Sequence, residues 1–186
     1  MSRRGLTPAA VVDAAVALVE AEGADALQLS QVAKALGVRT PSLYNHVDGL
    51  DDLQREVALR ATVALGQALG DAVMGRAGRD ALLAVAETFR AWAKEHPGLY
   101  ALTLQARPDD EVFAAAGFRA TEPVLAVLRG FDLCDEDSIH AARTLRAALH
   151  GFVSLELAGG FGLQTDVEAS FRWLIERLVG SLTAAR

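Results

Sequence analysis

The sequence predicts an all-α protein of about nine helices, three short ones followed by longer ones, and three observations carry that expectation. No stretch alternates apolar and polar residues over strand length, whereas apolar residues recur at three- and four-residue spacing. Helix starts and stops are frequent, as hydroxyl or carboxylate caps, prolines at first positions and glycines at ends. The composition is 52% hydrophobic but only 6% aromatic. Ala, Leu and Val dominate it, which suits helices packed closely on helices.

Thr7 and Pro8 are a capping hydroxyl followed by proline at the first helical position. Val11, Val12, Ala15, Val16, Leu18 and Val19 then recur at helical spacing until Gly23, a C-terminal stop. A second helix is expected over 29–36, ending at Gly37, and Thr40 and Pro41 repeat the cap-and-proline signal for a third over 41–46. Asp48 is expected to cap a long fourth helix with Asp51 and Asp52 at its positive end, running to Gly70 or Gly75. Further helices are read over 79–95, 99–105, 109–129 (with a break or kink at Gly117 and Pro123) and 135–158. Thr165 and Glu168 form a capping box for the last helix, ending near 184. No internal repeat, low-complexity tract or long linker interrupts the 186 residues.

The composition bounds function broadly. No apolar run has the roughly 18–20 residues that a membrane span needs, and the first residues do not read as a signal peptide. A single cysteine, Cys134, cannot form an internal disulfide and suits a reducing, cytoplasmic setting. The net charge is −6, but residues 1–47 hold four bases and four acids, so the acidity lies beyond them. That distribution permits DNA binding without arguing for it.

The stretch 28–53, QLSQVAKALGVRTPSLYNHVDGLDDL, carries the functional information. Val32 and Leu36 give a two-turn helix its apolar face, and Ala33 lets a neighbouring helix approach. Gly37 permits a left-handed turn, Val38 tucks back, and Leu43 anchors the following helix. Two short helices joined by a glycine turn are the helix-turn-helix arrangement, whose second helix enters the major groove. Asn45 can pair with an adenine edge, and Ser42 and Thr40 can serve bases or phosphates. The bland reading of the same residues is a helical hairpin in a bundle, in which an exposed Tyr44, Asn45 and His46 would have no use.

Residues 6–53 resemble the DNA-binding domain of the tetracycline-repressor (TetR) family, through a first helix ending in glycine, the VAKALGV turn and SLYNHV before an acidic helix start. The resemblance implies a DNA face of Arg39, Thr40, Pro41, Ser42, Tyr44, Asn45 and His46, with Tyr44 and His46 on phosphates and Ser30, Gln31 and Lys34 in support. Arg3 and Arg4 would form an arm suited to a phosphate strand or the minor groove. It further implies a 1–47 DNA-binding domain and a 48–186 helical effector-binding and dimerisation domain. Two positions depart from the family. Gln28 stands where a Thr or Ser caps the second helix, and the region of Leu50, Asp51 and Asp52 lacks a lysine that donates to a phosphate. The stretch RTLRAALHGFVSLE from 143, followed by Gly159, Gly160, Phe161 and Gly162, resembles the C-terminal domain of a subgroup named for a Trp-His-Gly signature. Arg146 stands at the Trp position, so that signature is incomplete.

Val167, Phe171, Leu174, Leu178 and Leu182 make an apolar stripe on the last helix, widened by Ile175 and Val179. Ile139, Ala142, Leu145, Leu149 and Phe152 make another on the preceding one. On family grounds these two helices pair with those of a second copy as a homodimer interface; the alternative is that they close the monomer core. Phe89, Trp92, Tyr100, Leu104, Phe113, Phe118 and His150 are candidates to line an apolar small-molecule pocket, though such a stripe also reads as core. His46, His96, His140 and His150 show no metal-type spacing, and no activated nucleophile or paired carboxylates stand out, so neither cofactor, metal nor catalytic residue is expected. The expected function is a DNA-binding regulator, a repressor released from operator DNA by a small apolar or amphipathic effector. The competing reading is an all-α ligand-binding or oligomerisation module without DNA function.

Overall fold

A computed structural model describes residues 6–105, 107, 109–131 and 133–184. The described residues are helical, with turns and no strand. Eight α-helices follow in order, α1 (Pro8–Glu22), α2 (Leu29–Ala35), α3 (Leu50–Val73), α4 (Gly78–Glu95), α5 (Pro97–Thr103), α6 (Glu111–Leu128), α7 (Asp135–Leu157) and α8 (Val167–Ala184), with 3-10 turns at Ala24–Ala26, Thr40–Asn45 and Arg129–Phe131.

Two compact units divide them. One takes the chain up to Thr62 together with His96–Ala114; the other takes Val63–Glu95 and the chain from Ala115 onward. The first unit therefore reaches beyond a 1–47 segment.

Its helices start and stop for local reasons. The Thr7 hydroxyl accepts from the Ala10 N–H at 3.2 Å, with Pro8 in the first turn. Val11, Val12, Ala15 and Val19 face inward with Leu27, Val32, Leu43, Val47, Leu53 and Val57. Burying each of the valine and leucine side chains contributes about 1.5–3 kcal/mol. α5 packs against α1 so closely that a Cβ at Gly98 would stand 2.6 Å from the Val19 carbonyl oxygen. His96 Nδ1 lies 2.7 Å from Glu20 Oε1 on the same pair of helices. The segment 96–114 is thus bound into the unit that carries the N-terminal helices.

The second unit buries Leu82, Val85, Phe89, Val124, Leu128, Leu149, Val153, Phe171, Ile175 and Val179. Arg90 of α4 lies among them and reaches Glu156 of α7 through Nε (2.7 Å) and Nη2 (2.8 Å). Its Nη1 donates to Glu168 of α8, and its guanidinium stands 4.7 Å from the Phe171 ring centroid. One cation ties three helices.

Four local expectations are corrected. The break at Gly117 and Pro123 is absent, because α6 runs through both. Proline costs one backbone hydrogen bond, and burial of Val124, Val127 and Leu128 carries the helix past it. The cap of α8 is Asp166, whose carboxylate accepts from the Glu168 N–H at 3.0 Å, not Thr165. Asp48 does not cap α3 by its side chain; its own N–H donates to Asp52 Oδ2 at 3.0 Å. The helix expected over 41–46 is a 3-10 turn over Thr40–Asn45 without a side-chain cap. Six residues with Pro41 among them favour i to i+3 bonds, seen from Ser42 N–H to the Arg39 carbonyl at 2.9 Å and His46 N–H to that of Leu43 at 2.8 Å.

Candidate nucleic-acid interface

The geometry of the candidate interface starts at the turn after α2. Gly37 has φ +66°, the left-handed region that glycine adopts at least cost. Its N–H bonds to the Lys34 carbonyl at 3.1 Å, and the Val38 N–H to that of Ala33 at 3.0 Å. This pair of bonds is the Schellman arrangement, which satisfies helix-end carbonyls and reverses the chain. Leu43, fully buried, then pins the Thr40–Asn45 turn to the core.

With Leu43 inside, the remaining side chains of the turn point away from the core. Tyr44 is 58% exposed, Asn45 and Pro41 are exposed, and Thr40, Ser42 and His46 are half-buried. Ser30, Gln31 and Lys34 of α2 and Arg39 of the turn are exposed as well. Arg3 and Arg4 lie outside the described residues. Gln28 occupies the cap position of α2 without a side-chain hydrogen bond.

The acids at the head of α3 are each engaged. Arg107 places Nη2 3.1 Å and Nη1 3.3 Å from the two oxygens of Asp51, and this guanidinium holds the carboxyl below its usual range. Asp52 accepts from the Asp48 N–H. One turn later Arg55 grips Asp110, with Nη2 to Oδ1 at 3.1 Å. Asp110 also caps α6 through the Phe113 N–H at 2.9 Å, and these bonds bring its pKa down to about 2. Sequence reading missed Arg107, Arg55 and Asp110, because partners 55 or 56 positions apart leave no local signal.

Residues 11–57 match the model of the tetR family of bacterial regulatory proteins, and residues 82–178 that of the tetracyclin repressor-like C-terminal domain. The chain belongs to the TetR family. It is 37% identical over 179 residues to an uncharacterised HTH-type transcriptional regulator of Mycobacterium tuberculosis, covering 95% of this chain and 82% of that one. It is 33% identical over 137 residues to the HTH-type transcriptional repressor DrrR1 of Streptomyces coeruleorubidus, covering 73% of this chain and 48% of that one. The fold is shared with SCO7222, a TetR from Streptomyces coelicolor, at TM-score 0.74 and 20% identity, covering 97% and 99% of the two chains. It is also shared with a TetR variant from Acinetobacter baumannii in complex with minocycline, at TM-score 0.73 and 23% identity, covering 95% and 96%. This TetR-family chain is a DNA-binding transcriptional regulator.

The other candidate residues of the TetR-family chain divide between its units. Tyr100 (buried), Leu104 (exposed) and Phe113 (half-buried) belong to the first. Phe89, Trp92, Phe118 and His150 belong to the second, where the Phe89 and His150 rings meet edge-on at 4.8 Å and Phe118 is exposed. Burial first, and Arg146 second, lower the His150 pKa to about 4. Of the two stripes, Ala142, Leu145, Leu149 and Phe171 are buried within their own chain. Phe152 packs its ring 5.1 Å from that of Phe171, Ile139 is exposed, and Val167, Leu174, Leu178 and Leu182 are half-buried. A cavity of about 300 Å³ opens between α7 and α8, lined by Leu82, Leu133, Leu145, Leu178, Val179 and Leu182 with Asp137, His140, Ala141, Thr144 and Ser181. No helix among the described residues is long and apolar enough to cross a membrane.

Proposed function

We propose that this regulator is a repressor that holds operator DNA as a homodimer through residues 39–46 and leaves it when a small amphipathic molecule binds its second unit. The observation that carries the reading is the buried Leu43 beside the exposed Tyr44 and Asn45. A short turn nailed down by one side chain presents the next two rigidly to a groove. Asn45 and Ser42 read base edges, while Tyr44, His46 and Lys34 meet phosphates.

Dimerisation is supported by the outer faces of α7 and α8. His140, Thr144, Ala147, Gly151 and Leu155 are exposed at 4-3-4-4 spacing, one stripe along α7. A Cβ at Gly151 would meet nothing within 4 Å, which leaves room for a partner helix. Trp173 of α8 is 61% exposed, with the Arg177 guanidinium 5.4 Å from its ring centroid, and offers an aromatic surface to a partner. The groove between α7 and α8 would take a side chain of the second copy, and Ala142, Leu145 and Leu149 would support that face from beneath.

The effector is assigned to the surroundings of Phe89 and His150, whose rings meet at 4.8 Å, with Trp92 one turn further along α4, an apolar setting with one polar tip. The minocycline bound by the Acinetobacter protein illustrates a ligand of that character in this fold. A labelled duplex carrying the chain's own promoter, titrated with protein and then with polycyclic amphipathic compounds, tests the proposal. Salt-sensitive binding that one compound class reverses is expected. Binding that no compound alters would remove the effector from the account.

A further inference from the structure

We propose that Arg107 is a positioning residue for DNA binding, which masks the charge of Asp51 at the head of α3 so that the operator backbone can approach. The inference rests on the reading of residues 39–46 as the DNA face. Asp51 lies in the first turn of α3, the helix that follows the Thr40–Asn45 turn after a short connection. Its side chain is 85% exposed, so an unmasked carboxylate there would face an approaching phosphate strand. A negative charge within a Debye length of about 8–10 Å repels that strand, most strongly at low salt.

Arg107 cancels it from outside the helix-turn-helix. Both terminal nitrogens reach Asp51, at 3.1 and 3.3 Å, while the Arg107 side chain itself is only 17% exposed. Its Nε is buried without a hydrogen-bond partner, so Asp51 supplies the hydrogen bonds that hold the guanidinium. Arg55 secures the next turn of α3 to Asp110 in the same way. The segment that bears Arg107 and Asp110 is fixed to α1 through Gly98 and His96. In sequence, however, it is continuous at both ends with helices of the second unit.

The full-length protein and a labelled promoter duplex test this by anisotropy at about 50, 100 and 200 mM salt. Arg107→Ala is expected to bind about three- to tenfold more weakly at the lowest salt, the deficit shrinking as salt rises. Arg107→Ala combined with Asp51→Asn should return to the parent affinity, and Asp51→Asn alone should bind at least as tightly as the parent. Thermal melts of all variants separate a charge effect from unfolding. Unchanged binding by Arg107→Ala overturns the proposal. So does a deficit that Asp51→Asn fails to restore, since Arg107 would then touch phosphate or only brace the fold. A parent protein that ignores the duplex at every salt would instead count against the assignment of the DNA face.

Discussion

Arg90 on α4 and Glu156 on α7 meet as a bidentate pair, at 2.7 and 2.8 Å, with both side chains almost wholly withdrawn from solvent. The hydrogen bond from Arg90 holds the Glu156 carboxyl down at about 2, and Lys94 assists from 2.8 Å. Desolvation opposes such a pair, so its presence argues for geometry more than for net stability. Removing one member strands the other. Arg90→Met should lower unfolding stability by about 2–4 kcal/mol, read as a Tm fall of several degrees. Replacing both members, Arg90→Met with Glu156→Leu, should recover most of that loss. Equal losses in the single and double variants would mean that packing, not charge, sets the cost.

His150 supplies a pH dependence of defined sign. Its pKa of about 4 in the fold stands below the ordinary 6.5, so the unfolded chain binds the proton more readily. The contribution is fully present above pH 6.5 and is lost as pH falls toward 4, by up to about 1.4 kcal/mol per pH unit. Glu156, depressed from 4.5 to about 2, adds its own loss only below pH 4.5. Denaturant unfolding at pH 7, 6 and 5 should therefore show falling stability, and His150→Gln should flatten that series. A parent protein equally stable at pH 7 and 5 would exclude a buried neutral imidazole.

The dimer surface is testable at a residue that the monomer leaves open. Gly151→Arg places a charge on the α7 stripe, at a position where an added Cβ meets nothing within 4 Å. The variant should melt as a monomer of intact helicity, sediment as a single chain and lose about tenfold or more in operator affinity as half-site coupling is lost. A dimer that persists by ultracentrifugation would move the interface elsewhere.

Much of this was readable because it is local. The Thr7 cap, the left-handed Gly37 and the apolar spacing of α1 and α2 act over four or five residues, and each stands in the fold as the sequence implies. The candidate DNA face was legible for the same reason, since Leu43 inside forces Tyr44 and Asn45 outward. What escaped is non-local or depends on competition between neighbours. Asp166 won the α8 cap over Thr165 one position away, and the cohesion of the second unit outweighed the breaking tendency of Pro123. Arg107 with Asp51 and Arg90 with Glu156 are partners that only the folded chain brings together. The apolar stripes of α7 and α8 could not be apportioned between core and partner from periodicity, because a wide stripe serves both.

In the proposed function, residues 39–46 read an operator, with Asn45 on a base edge and Tyr44 on the backbone. The most direct measurement is the affinity of Tyr44→Ala and Asn45→Ala for the promoter duplex and for a set of single-base variants of its protected site. Tyr44→Ala should weaken binding to every duplex alike, whereas Asn45→Ala should cost about 1–3 kcal/mol on the parent site and flatten discrimination at one base pair in each half-site. If the two variants behave identically, or if neither changes binding, the division of labour on this face is wrong.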